Sequence, residues 1–386
     1  MPAAHPVTIL QDLIRCRSVT PDEGGALSYL EKLLGDAGFA CHRLPFSSAG
    51  TPDVDNLFAR FGTAGPHLCF AGHTDVVPPG DESQWSHPPF AAEMADGKVY
   101  GRGACDMKGS VAAFAAAALD YVARKGVKPG SISFLITGDE EGQAINGTVK
   151  VLQWMKDNGH VPDHCIVGEP SCADTLGDTI KIGRRGSLSF TVTVDGRQGH
   201  VAYPHKADNP VPKLARFVDR IAALKLDEGN QHYDPSTLAV TSFDVGNPAS
   251  NVIPSRAVAR FNIRFSNLHS ATSLKALIEA QADAVKTDLG GTWTIASVEG
   301  ADAFLTQPGA FVGLVQDAVA AETGVVPKLS TSGGTSDARF VKTYCPVLEF
   351  GPTNATIHQT DEHIGVEELK ATARIYARII DAYFGS

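Results

Sequence analysis

All seven cysteines stand singly, and no two of them form a CxxC pair. A thiolate zinc site draws on such pairs, so that kind of metal centre is not expected. Scattered, unpaired cysteines read instead as reduced thiols of a cytoplasmic protein. Long apolar runs are also missing. The longest candidate, 111–119, is alanine-rich and short of the roughly 20 residues a bilayer span requires. Residues 1–16 carry no charged stretch followed by an apolar one, and so read without a signal peptide. Positive charge is scarce: 33 Lys and Arg stand against 43 Asp and Glu, a formal net charge of -10. Wholesale binding to nucleic acid or to an anionic membrane needs a net basic face, so neither is expected as a partner. Local basic patches that hold a small anion remain open.

Several catalytic motifs are absent too. There is no GxxxxGK[ST] phosphate loop and no GxSxG nucleophile elbow, and Gly101-Arg102-Gly103 lacks the third glycine of a dinucleotide fingerprint. Internal repeats and low-complexity tracts are likewise missing. What remains is a composition of 43% hydrophobic and 20% charged residues over 386 positions, which is that of a globular chain with two or three domains' worth of core.

Residues 8–37 read as helical segments around a break at 18–25. Four short apolar runs follow, at 67–71, 131–136, 164–167 and 346–350, each bounded by turn residues. Runs of this length read as buried strands, and helical stretches such as 111–125 separate some of them. This predicts an α/β fold with a sheet that is at least partly parallel. The middle of the chain differs. Leu188, Phe190, Val192 and Val194 alternate with Ser and Thr, the pattern of a sheet with one wet face. A helix with Val211, Leu214, Val218 and Ile221 on one side comes next, then strands near 237–245 and 257–265. A second helix carries Leu274, Leu277, Ile278 and Val285, and a last strand covers 292–298. The order β-α-β-β-α-β is ferredoxin-like. The expected organisation is therefore a discontinuous catalytic domain, 1–184 and 299–386, interrupted by an inserted α+β domain at 185–298.

Three of the apolar runs end in unusual polar residues: Gly72-His73-Thr74-Asp75, Gly138-Asp139-Glu140-Glu141-Gly142 and Gly168-Glu169-Pro170. A further loop holds Asp106 just before the alanine-rich stretch. Ligands of open α/β sheets bind at the carboxyl ends of strands. One His with several carboxylates suits zinc, cobalt or manganese. His73 and Asp75 are two apart, so on a continuing strand both point to one face, where the Asp75 carboxylate can accept the second ring N–H of His73. Glu140 and Glu141 point apart if extended, one toward metal and one toward a reacting water. Each piece also has a plain structural explanation: a solvated acidic turn at 139–141, a strand-end carboxylate at Glu169, and a helix cap at Asp106. Cys105 reads as a small buried thiol.

These motifs in this order, with Tyr100-Gly-Arg-Gly-Ala-Cys-Asp106-Met-Lys-Gly109, Ile182-Gly-Arg-Arg-Gly-Ser187, Gly199-His200-Val-Ala-Tyr-Pro204, Asn251-Val-Ile-Pro254, Gly333-Gly-Thr-Ser-Asp337 and Ile357-His358, resemble the aminoacylase and carboxypeptidase superfamily of two-zinc peptidases. The likeness runs essentially end to end. It lies closest to a branch that removes a succinyl group from an amino dicarboxylate, with deacetylase and carboxypeptidase branches as the alternatives. The resemblance implies a three-layer catalytic domain with a mixed sheet, an inserted ferredoxin-like dimerisation domain, and two divalent ions per chain, zinc first and cobalt or manganese as substitutes. By position, His73 and Glu169 hold one ion, Glu141 and His358 the other, and Asp106 bridges them. Asp75 supports His73, Glu140 is the general base, and the Asp106–Met107 peptide is cis. His200 reaches the active site of the partner in a homodimer. A small polyanionic substrate needs cations, for which Arg184, Arg185, Arg264 and Arg339 are candidates, Arg184 and Arg264 ahead of the others. Tyr203, Asn251, Gly334, Thr335 and Ser336 complete the expected substrate-binding set.

Overall fold

The computed structural model describes residues 5–126 and 130–385; the first four residues of the N-terminal segment discussed above lie outside them. The chain divides into two compact units. The first comprises Met1–Ile182, Thr306–Ser330 and Ser336–Ser386, and the second Gly183–Leu305 with Thr331–Thr335.

The first unit is built on an eight-stranded mixed sheet. In chain order its strands are β1 (Ala40–Arg43), β2 (Leu57–Phe61), β3 (His67–His73), β4 (Ser131–Thr137), β5 (His164–Val167) and β6 (Thr179–Lys181). The second unit's strands β7 (Gly186–Asp195), β8 (Thr237–Asp244), β9 (Arg256–Phe265) and β10 (Thr292–Ala301) follow, and β11 (Lys328–Ser330) and β12 (Val347–Glu349) return to the first. The spatial order of the large sheet is β1-β2-β4-β3-β5-β12-β6-β11. Its four central strands, β4, β3, β5 and β12, are mutually parallel, so their carboxyl ends share one edge. β3 and β4 are buried along their whole length, as expected of strands covered on both faces.

Helices α1 (Pro6–Arg15), α3 (Lys108–Lys125), α7 (Ala310–Thr323) and α9 (Val366–Phe384) pack on one another, while α2 (Ala26–Asp36) lies against β1 and β2, and α4 (Thr148–Asp157) against β4 and the short α8 (Ala338–Val341). In α3 every residue from Lys108 to Ala118 is buried, and its alanines let neighbouring helices approach closely. Phe70 of β3 stacks on Phe114 of α3 at 4.4 Å, and Tyr376 of α9 donates to the Phe350 carbonyl at 2.6 Å, joining helix to sheet just below the strand ends. Among the described residues no helix is long and apolar enough to cross a membrane.

In the second unit, β7–β10 form an antiparallel sheet of order β8-β9-β7-β10. Helices α5 (Pro210–Ala222) and α6 (Ala271–Leu289) supply Leu214, Phe217, Ile221, Leu274 and Ile278 to a core shared with Leu188, Phe190, Val192 and Val194. This is the ferredoxin-like arrangement. The unit is longer than the 185–298 read from sequence. β10 continues to Ala301, which pairs with Ser187, and Gly183–Arg184 pairs antiparallel with Phe304–Leu305. That two-residue ladder ties together the chain's entry to the unit and its exit. Residues 331–335 also belong here rather than to the flanking domain.

Candidate metal centre

Every metal-ligand candidate sits at the carboxyl edge of the parallel strands. His73 is the last residue of β3, Glu140 and Glu141 follow β4, Glu169 follows β5, and His358 lies on the loop after β12. Asp106 ends the turn that leads into α3. The helix is capped at Met107 with no side-chain cap, so the reading of Asp106 as a simple cap fails. The Asp106–Met107 peptide is cis. Met107 is fully buried, and the glycines before two ligands make room for it: a Cβ on Gly72 would lie 2.5 Å, and one on Gly168 2.7 Å, from the Met107 methyl.

Asp106 is central. Its Oδ1 lies 3.3 Å from His73 Nε2 and its Oδ2 lies 3.4 Å from His358 Nε2. His73 Nε2 is also 3.9 Å from Glu169, and His358 Nε2 is 2.8 Å from Glu141. Ligand atoms of His73, Asp106 and Glu141 fall within 4.8 Å of one another, as do those of His73, Glu140 and Glu169. His73 Nε2 and Asp106 Oδ1 are buried without a hydrogen-bond partner. Buried polar atoms are normally satisfied, and two orphaned lone-pair donors 3.3 Å apart fit a shared cation. The donor set, nitrogen and oxygen with no thiolate, fits the same group of ions.

The electrostatics agree. Burial, then Asp337, Glu141 and Asp106 against the opposing pull of His73, push the Glu140 carboxyl up to about 8. Burial and the charges of Asp106 and Glu140 raise Glu169 well above the ordinary carboxylate range. Asp106 and Glu141 hold the His358 imidazole up to about 10. Burial opposes ionisation of Asp106, but the imidazoles of His358 and His73 beside it prevail and keep its carboxyl low. So many carboxylates in one buried space retain protons unless a cation replaces them.

The structure corrects one expected contact. His73 Nδ1 is 2.8 Å from the backbone carbonyl of Asp75, while the Asp75 carboxylate is 3.7 Å away. The chain leaves β3 after His73, so the two side chains do not share a strand face. The Asp75 carboxylate instead accepts the backbone N–H groups of Glu140 at 3.3 Å and Glu141 at 3.1 Å, and it is fully buried. Burial raises its carboxyl to about 6 against the favourable pull of His73 and those two N–H groups. Asp75 therefore clamps the turn that carries Glu140.

The expected substrate-binding residues fall mostly in the second unit. His200 is exposed on a two-residue strand paired with Val252–Ile253, beside Tyr203 at 5.9 Å between rings, and the Val201 N–H donates to the Asn251 carbonyl at 3.1 Å. Arg184 donates to the Gly334 carbonyl at 3.2 Å, and Thr335 is half-buried nearby in sequence. Burial and the neighbouring Arg185 pull the Arg264 guanidinium below its usual value. Ser336 departs from the reading: it belongs to the first unit, is buried, and donates its hydroxyl to Glu349. That hydroxyl is engaged within the fold and is not a free ligand for a substrate carboxylate. Arg339 lies over the Phe340 ring at 4.5 Å. Cys105 is buried, its Sγ 3.0 Å from the Thr353 carbonyl, and burial raises its thiol well above the usual range, as expected of an inert thiol.

Sequence reasoning missed Arg102 and Glu362, a buried ion pair at 2.8 Å beneath the cluster. Glu362 lies in Asp361-Glu362-His363, with no periodicity or spacing to mark it.

The family model for peptidase family M20/M25/M40 matches residues 69–382. A succinyl-diaminopimelate desuccinylase from Nitrobacter hamburgensis is 54% identical, covering 99% of this chain and 100% of its own length. One from Rhodopseudomonas palustris is 55% identical, covering 99% of both chains. Among solved structures, a Staphylococcus aureus tripeptidase superposes with a TM-score of 0.79 at 20% identity, over 99% of this chain and 98% of that one. A Bacillus subtilis protein described as a dinuclear metal-binding peptidase from the M20 family superposes with a TM-score of 0.71 at 16% identity, over 97% and 96%.

Proposed function

The chain belongs to peptidase family M20/M25/M40, and from that premise we propose that it works as its full-length relatives do, hydrolysing the amide of N-succinyl-LL-2,6-diaminopimelate to succinate and LL-2,6-diaminopimelate. It is a metal-dependent hydrolase of a linear amide. One observation carries the residue assignment: a single buried carboxylate, Asp106, offers one oxygen to each of two histidines, with Glu169 beside one and Glu141 beside the other. In this reading His73 and Glu169 hold one divalent ion, Glu141 and His358 hold the second, and Asp106 serves both. Zinc is the preferred ion, with cobalt or manganese as substitutes. Bound there, such ions polarise the amide carbonyl and make water ionise near neutral pH.

The chain's own residues do the rest. Glu140 takes the proton of the attacking water and returns it to the leaving amine. Its place after β4, with a carboxylate oxygen within 4.8 Å of the ligand atoms of His73 and Glu169, suits both halves of that exchange. Asp75 keeps Glu140 in place through the backbone of its turn. Arg184 and Arg264 are assigned to substrate carboxylates, for which forked guanidinium donors are matched in shape. Tyr203, Asn251, Gly334 and Thr335 are assigned to the same substrate. His200 is assigned to the oxyanion of a partner subunit in a homodimer, with the second unit as dimerisation domain and lid. Seven free cysteines and a role in diaminopimelate and lysine biosynthesis fit the cytoplasm as its place of action.

The test is a comparison of substrates on the zinc-loaded chain. N-succinyl-LL-2,6-diaminopimelate is expected to be cleaved with a kcat/KM well above that for N-acetylornithine or a dipeptide. A preference for either of the latter would replace this reading with the deacetylase or carboxypeptidase alternative.

A further inference from the structure

Arg102 and Glu362 have no part in the chemistry above, yet both are almost completely buried, Arg102 at 3% exposure and Glu362 at none. Glu362 Oε1 accepts the backbone N–H of Cys105 at 2.9 Å and of Asp106 at 3.1 Å. Its Oε2 accepts the N–H of Gly103 at 3.0 Å and of Arg102 Nη1 at 2.8 Å. Its backbone carbonyl accepts the N–H of Gly101 at 2.8 Å. One residue thus gathers the whole turn that ends in Asp106. Arg102 reaches the other way. It donates to the carbonyl of Gln359 at 3.2 Å and of His358 at 3.4 Å, and its guanidinium lies 5.1 Å from the Trp85 ring centroid. His358 itself sits in the left-handed region, at φ 59, on a loop.

The two halves of the cluster are therefore set by different means. His73 ends β3 and Glu169 follows β5, two strands paired residue by residue within the sheet. Asp106 and His358 stand on turns, and the buried Arg102–Glu362 pair joins those two turns. We propose that Arg102 and Glu362 are positioning residues chiefly for the ion shared by Asp106, Glu141 and His358, setting His358 against Asp106, while the ion at His73 and Glu169 shares Asp106 but takes its other ligands from the ends of sheet strands and depends on the pair less. This rests on the two-ion reading of the cluster.

Removing such outer partners typically weakens metal binding about 10–100-fold. Glu362→Gln keeps the shape but replaces one acceptor oxygen with an NH₂ group facing two donors. Arg102→Lys keeps a charge beside Glu362 but lacks the fork that spans two carbonyls. The experiment titrates Zn²⁺ into the metal-stripped full chain by calorimetry, with elemental analysis of the loaded protein. Wild type is expected to bind two ions. Each variant is expected to bind one ion roughly 10–100-fold more weakly and the other with a distinctly smaller loss. Leu30→Ala, a cavity in the buried face of α2, is expected to lower stability and leave both affinities unchanged. The proposal is overturned if a folded Glu362→Gln or Arg102→Lys chain binds both ions normally, if it loses both equally, or if Leu30→Ala shows the same selective loss. Should Glu362→Gln not fold, the milder Arg102→Lys decides. Wild type binding fewer than two ions would remove the two-ion reading itself.

Discussion

The position of the Asp75 carboxylate leads to a prediction that separates two roles for it. Asp75→Asn keeps the side chain's size and one acceptor oxygen, but turns the other oxygen into an NH₂ group. In the fold both oxygens accept backbone N–H groups, those of Glu140 and Glu141. The variant therefore leaves one buried N–H facing a donor. An unsatisfied buried donor costs about 1–3 kcal/mol. If that cost loosens the turn that carries Glu140, kcat falls by roughly 5- to 150-fold, at about 1.4 kcal/mol per decade. The first ion should be nearly unaffected, because His73 Nδ1 meets the Asp75 backbone carbonyl, which the substitution leaves in place. The assay pairs steady-state kinetics on the succinylated substrate, following loss of the amide absorbance, with zinc content and affinity. A fall in kcat with two tightly bound ions is expected. A variant with wild-type kcat would refute the clamp. One that instead loses the ion held by His73 would show that the carboxylate orients the imidazole after all.

Three further outcomes follow from other parts of the fold. Glu140→Ala should keep both ions and lose roughly 10²–10⁴-fold in turnover, and a hybrid dimer of Glu140→Ala with His200→Ala chains should regain activity at one of its two sites; a stable hybrid as inactive as both parents would show that His200 does not act across subunits. In the ion-free protein His358 is held up to about 10 by Asp106 and Glu141, so zinc must displace its proton at any lower pH; affinity should rise with pH, and calorimetry near about pH 7.5 in two buffers of different ionisation heat should record at least one proton released, none being the contrary result. Burial, then Arg60, depresses the buried His67 to about 4 from 6.5. Its contribution to stability is then present above pH 6.5 and lost as pH falls through 4, a difference of roughly 3 kcal/mol; His67→Gln should flatten urea-unfolding stability of the ion-free chain over that window, and an unchanged profile would refute it.

Much of this molecule is legible in its sequence, and for a local reason. β3, β4 and β5 are short apolar runs bounded by turns because they are buried on both faces, and the polar residue that follows each run is where the chain meets the open edge of the sheet. Parallel neighbours put those ends together, so His73, Glu140, Glu141 and Glu169 could be placed from strand reading alone. The alternation of β7 and the helical periods of α5 and α6 likewise identify the second unit, since side-chain period follows directly from burial of one face. Asp106, His358 and His200 have no such period to mark them; their roles came only with the likeness to a family.

What tertiary structure decided lies where the chain leaves regular elements. Past the end of a strand, side-chain direction depends on loop dihedrals rather than on a period of two, so the Asp75 carboxylate turned toward Glu140 and Glu141 and only its carbonyl met His73. Ser336 reads as an open glycine-loop hydroxyl, yet packing buries it against Glu349. The second unit runs to Leu305 because a two-residue ladder pairs its entry with its exit, and it takes in 331–335, where Arg184 donates to the Gly334 carbonyl. Arg102 and Glu362 stand 260 positions apart, and an arginine and a glutamate in separate loops read as surface charges. Only the fold makes them a buried pair, by folding the loop after β12 over the turn before α3 so that the backbone donors of one and the carbonyls of the other converge on two buried side chains.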